Sequence, residues 1–392
     1  MEERHSQQAA EARPPSAAPA VPTAPAVLAA PGVEAAPRAR GQSGESAGVA
    51  SVSTPIPTDG AAWDDYVAST PLAPYLQATP WAAVKARNGW SARRIVVAGI
   101  GAQVLTHRLG PLPWSVGYAP RGPVARSLDE QAVLAWTEAV GRVARDARLS
   151  HLVVDPEIEA GGPELDWFLH SGWRSCASPQ PARSRWIDLS RGEDDLWNDL
   201  RGKWRQYVQK ARRSGVRVVD AGPERLGEFY SIYVETARRA GFTYRTEATY
   251  AAVFDEYASR GRARLLFAVD AGGRAQATLM LIGWGARIVE PYGGMTRSGA
   301  ESRANYLLKW EAIRSSRDAA YGVYDLWGLS HPGIEYFKAG FGGREVDFIG
   351  GLELRVRPLL RTAVQAAQDV RVLLATRRLG GDRRPTDTGA EP

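Results

Sequence analysis

One order of hydrophobic runs occurs twice along this chain. Short β-branched runs at 94–98 and 102–107 flank Gly99-Ile100-Gly101, a turn signal, and predict a β-hairpin. A third short run leads to Tyr118. From 128 to 147 the residues Val133, Leu134, Trp136, Ala139, Val140 and Val143 fall near a 3.6-residue period, which predicts a helix with one buried face. Leu152-Val153-Val154 predicts a buried strand, and 165–170 a short helix. The order then returns. Runs at 265–269 and 275–282 flank Ala271-Gly272-Gly273, a strand is predicted at 287–292, and a helix at 306–317 with Tyr306, Leu307, Trp310 and Ile313 on one face. A strand at 323–327 and a short helix at 334–339 lead to Val346-Asp347-Phe348.

Hairpin, strand, helix, strand, helix, strand is the order of an N-acetyltransferase-like unit. Two copies in tandem are what internal duplication leaves, so the fold class is α/β (α+β). Residues 1–62, rich in Ala, Pro, Ser and Glu, bury too little apolar surface to offset their ordering entropy and predict a disordered tail. Folded sequence is expected from Trp63, and residues 380–392 read as a second polar tail. Between the copies, 194–213 predicts one helix. Leu196, Leu200, Trp204, Tyr207, Val208 and Ala211 form its apolar stripe, opposite the basic face of Arg201, Arg205, Gln209 and Arg212. That face suits phosphate or RNA, or is simply solvated. A last helix, 359–374, carries Leu359, Leu360, Val364, Ala367, Val370 and Leu374 on one side, followed by Arg377, Arg378, Arg383 and Arg384. It predicts docking on the first unit or attraction to anionic lipid.

A chain of 392 residues suffices for roughly two domains, and its 13 Trp and 14 Tyr can fill sizeable cores. The single cysteine, Cys176, excludes an internal disulfide and a thiolate metal cage, and the five histidines show no ligand spacing; no metal is expected. With no membrane-spanning apolar run and no signal-peptide pattern, cytoplasmic residence is the default. The net charge of +6 favours an anionic partner.

Several chemistries lack their signatures. There is no Gly-x-Ser-x-Gly elbow and no phosphate-binding Gly-x-x-x-x-Gly-Lys loop. Where an acetyl-CoA enzyme of this fold carries its pyrophosphate-cradling turn, this chain has Arg297-Ser298-Gly299-Ala300-Glu301-Ser302, which cannot make the same backbone nest. Acyl transfer without an enzyme nucleophile needs an activated donor, such as an ester, an amine acceptor, and stabilisation of a developing oxyanion. Lys85, Arg245 and Lys338, in loops near strand ends, are the candidate cations.

A set of motifs runs in order from about 63 to 370: Gln77 with Trp81 and Lys85, Tyr118-Ala119-Pro120-Arg121-Gly122-Pro123, Asp155-Pro156, and the basic run from Trp204 through Val216. Then follow Tyr292-Gly293-Gly294, Lys309-Trp310-Glu311-Ala312-Ile313, Tyr324-Asp325-Leu326-Trp327-Gly328 and Phe337-Lys338-Ala339-Gly340-Phe341-Gly342-Gly343. Together these motifs resemble the Fem family of peptidoglycan bridge-forming enzymes. The resemblance implies tandem acetyltransferase-like domains, 63–190 completed by 350–379, and 191–349. It implies a cytoplasmic, monomeric acyltransferase that moves Gly, Ala or Ser from aminoacyl-tRNA to the stem peptide of lipid II or its UDP-linked precursor. Aminoacyl-tRNA is then a co-substrate and no cofactor is needed; contact with the inner membrane face would be peripheral. In that reading Lys338 stabilises the oxyanion, Phe337 shapes its pocket, and Asp155 orients or deprotonates the amine. Lys85 and Arg245 resemble the residues that grip the precursor's phosphates, with Tyr250 and Tyr292 lining the cleft. Some members insert a charged coiled-coil arm, but 245–262 holds no heptad block, so the chain resembles the armless type. Arg201, Arg205 and Arg212 are then the expected tRNA contacts. A small-molecule N-acyltransferase, which the missing turn opposes, and a non-catalytic RNA-binding module, which only charge supports, stand as alternatives.

Overall fold

The computed structural model describes residues 59–329 and 331–379. The expected tails therefore lie outside the described residues, except for 59–62 and their surroundings. There the expectation is corrected: helix α1 (Gly60–Ala68) already includes Ala61 and Ala62, because Asp59 caps it, its carboxylate accepting from the Ala62 N–H at 3.1 Å.

The first half continues with α2 (Thr79–Ala86), β1 (Ser91–Val97), β2 (Ile100–Arg108), β3 (Ser115–Ala119) and β4 (Val124–Ala125). Then come α3 (Glu130–Asp146), β5 (Leu149–Val154), α4 (Glu164–His170) and β6 (Arg174–Cys176). The second half holds β7 (Arg183–Asp188), α5 (Glu193–Asp199), α6 (Gly202–Arg213), β8 (Arg217–Ala221), α7 (Leu226–Ala240) and α8 (Glu247–Ala258). It ends with β9 (Ala263–Val269), β10 (Ala275–Trp284), β11 (Arg287–Met295), α9 (Arg297–Ser302), α10 (Ala304–Asp318), β12 (Val323–Asp325), α11 (Pro332–Ala339) and β13 (Arg344–Asp347). Finally β14 (Gly351–Arg355) and α12 (Pro358–Leu379) return to the first half.

Two seven-stranded sheets result, ordered β1-β2-β3-β5-β14-β6, with β4 paired to β2, and β13-β7-β12-β11-β10-β9-β8. The duplicated α/β pattern read from the sequence is thus present: each sheet has the expected hairpin (β1–β2, β9–β10) and one parallel strand pair (β3–β5, β11–β12). Strand β14 pairs with β5 and β6, while β7 lies between β12 and β13.

Three main cores hold the sheets. In the first, α3 lays Val133, Trp136 and Val140 on the first sheet, with Trp136 stacked on Trp173 at 5.7 Å. In the second, α6 and α10 cover one face of the second sheet through Trp204, Val208, Leu308 and Ile313. The third joins the halves: Trp63, Trp81 and Trp90 pack into the same cluster as Phe229, Tyr250, Tyr257 and Trp284 from the second half. Each buried tryptophan removes roughly 200 Å² from water, about 5 kcal/mol of gross transfer free energy, so this seam is a true core.

The helix expected over 194–213 is two helices. Leu200 is extended between them, at φ −62° and ψ 135°. Gly202 is a weak helix former, the Arg201 N–H donates to the Gly340 carbonyl at 3.0 Å, and the Arg205 guanidinium takes the carbonyls that end α5. Tertiary partners therefore break a stripe that the pattern continues. Most of 245–262, where no heptad block was found, is helix α8, and it is packed, with Tyr250, Val253, Phe254 and Tyr257 buried. At the chain's end Val364 is buried, but Leu359 is 89% exposed, so the apolar side expected of α12 is not wholly covered. No described helix is long and apolar enough to cross a membrane.

Candidate active site

Strands β11 and β12 pair from Arg287↔Val323 only as far as Val289↔Asp325, yet β11 runs on to Met295. The two parallel strands therefore part beyond that point. A bulge lies on β11 at the parting: Ile282 faces Val289 and Met280 faces Tyr292, so Leu281 opposes both Glu290 and Pro291. Proline cannot donate to the ladder, which suits it to a bulge, and the extra residue reverses the side-chain alternation. Tyr292 consequently points with Val289 into the core shared by the halves, while Glu290 points to α10.

Lys338 lies on the other side of the wedge. It closes α11, a helix started by Pro332 and capped by the His331 ring, which accepts from the Gly333 N–H at 3.1 Å. Its ammonium donates to the Trp327 carbonyl and, at 2.9 Å, to that of Gly328, where the chain leaves β12. Trp327 has a left-handed backbone, φ 53°, that costs a non-glycine residue about 1–3 kcal/mol. Asp325 holds it there by accepting the Trp327 N–H at 2.7 Å. An ammonium has three donors, and among the described residues two are accounted for, which leaves one for a substrate oxygen. Burial pulls the Lys338 pKa down to about 8; Glu290 and Asp325 oppose that fall and Lys309 adds to it.

Phe337 turns the other way, into an aromatic cluster with Tyr306 at 5.1 Å and Phe341 at 5.3 Å. Gly340 allows this packing, since a Cβ there would stand 2.3 Å from the Trp204 ring. Beneath the cluster Lys309 is ion-paired with Glu290, which also accepts from the Tyr324 hydroxyl at 2.7 Å; both charged groups are buried.

The four residues expected to bind substrate come together at the seam. Lys85, on α2, lies over the rings of Trp81 and Trp90 at 5.4 and 5.3 Å. Burial, aided by the neighbouring Arg245, pulls its pKa down to about 8, and burial also lowers that of Arg245. The Arg245 N–H donates to the Tyr250 hydroxyl at 3.0 Å, and Tyr250 meets Tyr292 edge-on at 4.9 Å. Two cations from different halves, both partly desolvated, thus lie within electrostatic reach of each other, with Arg245 beside the two tyrosines.

Asp155 lies deeper, 1% exposed. Its carboxylate accepts from the Tyr118 hydroxyl (2.9 Å), the N–H groups of Arg121 (2.7 Å) and Gln180 (2.9 Å), and the Ser178 hydroxyl (3.4 Å). No helix begins after Pro156, so it is not a helix cap. Of the three arginines expected to contact tRNA, each has an internal partner. Arg201 lies over the Tyr336 ring at 4.5 Å, Arg205 donates to the carbonyls of Asn198 and Leu200 at 2.8 and 2.7 Å, and Arg212 pairs with Glu311 at 2.7 Å.

Pattern reading passed over a buried charge chain. Arg121 meets Glu157 at 3.3 Å, Glu157 pairs with Arg287, and Arg287 reaches Asp325 at 3.3 Å. The available signal was a charge inside an apolar run, as in Arg287-Ile288-Val289-Glu290 and Leu307-Leu308-Lys309-Trp310.

Comparison with known proteins bears on this geometry. Residues 168–269 match the FemAB family. A lipid II:glycine glycyltransferase of Staphylococcus aureus (strain MRSA252) is 28% identical over 217 residues, 52% of this chain and 52% of that protein. The enzyme of the same description from strain USA300 is likewise 28% identical over 217 residues. The chain therefore spans about half the length of the curated relatives it matches. The crystal structure of FemX superposes with a TM-score of 0.71 at 19% identity, covering 77% of this chain and 97% of FemX, which establishes a common fold. The chain is thus similar to the FemAB family over residues 168–269 and to those transferases over about half its length, and it shares the fold of FemX.

Proposed function

We propose that this protein transfers an amino acid from aminoacyl-tRNA to the stem peptide of a peptidoglycan precursor. The observation that carries this reading is the Lys338 ammonium, fixed by two carbonyls in the wedge between β11 and β12 with one donor to spare. An aminoacyl ester is already activated, so the amine of the stem peptide attacks it directly. The carbonyl oxygen becomes negative, and a fixed, partly desolvated ammonium stabilises that charge before the tRNA hydroxyl leaves. Phe337 shapes the pocket beside it. Lys85 and Arg245 hold the precursor's phosphates, and Tyr250 and Tyr292 line the approach; two desolvated cations beside one another favour a dianionic ligand. Asp155 acts through the loop it organises, orienting the amine rather than deprotonating it, since its oxygens already accept four hydrogen bonds.

The names of the glycyltransferase relatives make glycine the first amino acid to try, and lipid II the first acceptor, with alanine, serine and the UDP-linked precursor next. In this reading the protein works as a cytoplasmic monomer at the inner membrane face, without a cofactor. Arg201, at the start of α6, is the RNA contact, Arg205 keeps the α5–α6 corner in shape for it, and Arg212 is given up to Glu311. The test is incubation with charged tRNA and UDP-linked or lipid-linked muropeptide, read by mass spectrometry. A peptide heavier by one amino-acid residue supports the reading. No mass gain with any charged tRNA would sink it.

A further inference from the structure

Two lines of rings lead from solvent to the Phe337-Lys338 segment. In one, Tyr207 meets Tyr306 at 4.8 Å and Tyr306 meets Phe337 at 5.1 Å. In the other, Tyr336, 61% exposed, meets Trp204 at 5.5 Å, whose indole N–H donates to the Phe337 carbonyl at 3.0 Å. The outer ring of each line carries a cation on its face. Arg201 lies over Tyr336 at 4.5 Å, and Arg303 over Tyr207 at 4.5 Å, with Lys203 at 5.8 Å.

These cations differ from their neighbours on α6 in having no carboxylate or end-of-helix partner, though Arg201 gives one N–H to the Tyr336 carbonyl at 3.1 Å. Arg212 is neutralised by Glu311 and Arg205 is spent on backbone carbonyls. Among the described residues no carboxylate forms an ion pair with Arg201, Lys203 or Arg303. Arg303 is also held at φ 64°, a left-handed conformation that arginine adopts at a cost, where α10 begins, and its Nε is buried without a hydrogen-bond partner.

An exposed ring and a half-buried one, interleaved with cations that no carboxylate neutralises, make the surface that unpaired nucleotides need. Bases stack on ring faces whatever their identity, and the cations follow the phosphates between them. We propose that this face is a stacking platform for the unpaired 3′ end of an RNA, with Tyr336 and Tyr207 taking bases and Arg201, Lys203 and Arg303 taking phosphates. It rests on the aminoacyl-tRNA reading of the donor, and gives that donor a route to Lys338 that needs no arm.

The experiment is fluorescence anisotropy with the full chain and two labelled probes, a twelve-nucleotide single-stranded RNA and a blunt duplex of the same sequence. The single strand binds more tightly than the duplex. Tyr336→Ala weakens it about tenfold and Tyr336→Phe restores it, because the ring and not the hydroxyl stacks. Tyr207→Ala acts similarly, and Arg303→Met lowers the slope of log affinity against log salt by about 0.7. Tyr336 is mostly exposed, so its truncation does not threaten folding. Equal affinity for duplex and single strand, or wild-type affinity in Tyr336→Ala, overturns the platform. Transfer is assayed in parallel. Transfer by the wild type with RNA binding untouched in Tyr207→Ala/Tyr336→Ala condemns the platform alone. RNA binding that these variants lose, in a protein that never transfers, supports the platform and condemns the transfer reading.

Discussion

Replacing Lys338 by Met removes the ammonium and keeps most of the aliphatic stem. If its spare donor meets the oxyanion, kcat falls by about a hundredfold to a thousandfold, the usual loss for one such donor. The pH dependence is the sharper reading. The acceptor amine attacks only when neutral, so with an ordinary amine near pKa 10 the rate climbs about tenfold per pH unit across neutrality. Lys338, pulled down by burial, loses its proton from about pH 8 upward. The charged fraction is about nine-tenths at pH 7 and about one-tenth at pH 9, and this loss cancels the amine's gain. Wild-type kcat therefore climbs to about pH 8 and levels off, whereas Lys338→Met, slower throughout, goes on climbing. Saturating precursor is used, so that Lys85, with the same depressed pKa of about 8, is held charged by the phosphates it binds. Initial rates are corrected for spontaneous ester hydrolysis, and circular dichroism checks that the variant is folded. A wild-type rate still rising tenfold between pH 8 and 9.5, or Lys338→Met within threefold of wild type at pH 7, refutes the oxyanion role.

Lys85→Met and Arg245→Met should each raise the KM for the UDP-linked precursor about tenfold or more, with kcat less affected, since charge-assisted phosphate contacts contribute about 1.5–3 kcal/mol. Initial rates against precursor concentration check this, and an unchanged KM in both rules out phosphate binding there. Glu290→Gln strands a buried Lys309 and should cost about 3–5 kcal/mol in urea unfolding, most of which Glu290→Gln/Lys309→Met recovers. A double variant no more stable than the single one would show that the pair is not the cause. Arg205→Met should lower stability by about 1–3 kcal/mol, because it frees the carbonyls that end α5. An unmoved urea midpoint would mean that the guanidinium is available to an external partner after all.

What the sequence disclosed follows from the reach of each interaction. The hairpins at Gly99 and Gly273 and the helices α3 and α10 were legible because turn chemistry and a 3.6-residue period are local. Helices α7 and α8 were passed over: their buried residues, Phe229, Tyr233 and Tyr250, are aromatic and face the other half of the chain. The break at Leu200 and the bulge at Pro291 were missed because Gly340, Arg205 and Leu281 impose them from a distance. Of the candidate site residues, Lys85, Tyr292, Phe337 and Lys338 were named through ordered motifs, while bottom-up each cation was a lone charge. The seam chain of Arg121, Glu157, Arg287 and Asp325 was passed over, with only the charge of Arg287 beside an apolar run to hint at it, yet it links Asp155 to Lys338. At one end the Arg121 N–H is bound by Asp155, and at the other Asp325 fixes Trp327, whose carbonyl holds Lys338. A buried ionic chain of this kind is a poor way to gain stability, since apolar residues of similar volume often do as well or better. Its use lies in register. The loop around Asp155 and the carbonyl that holds Lys338 are positioned by one set of charges, so neither can shift without breaking a pair.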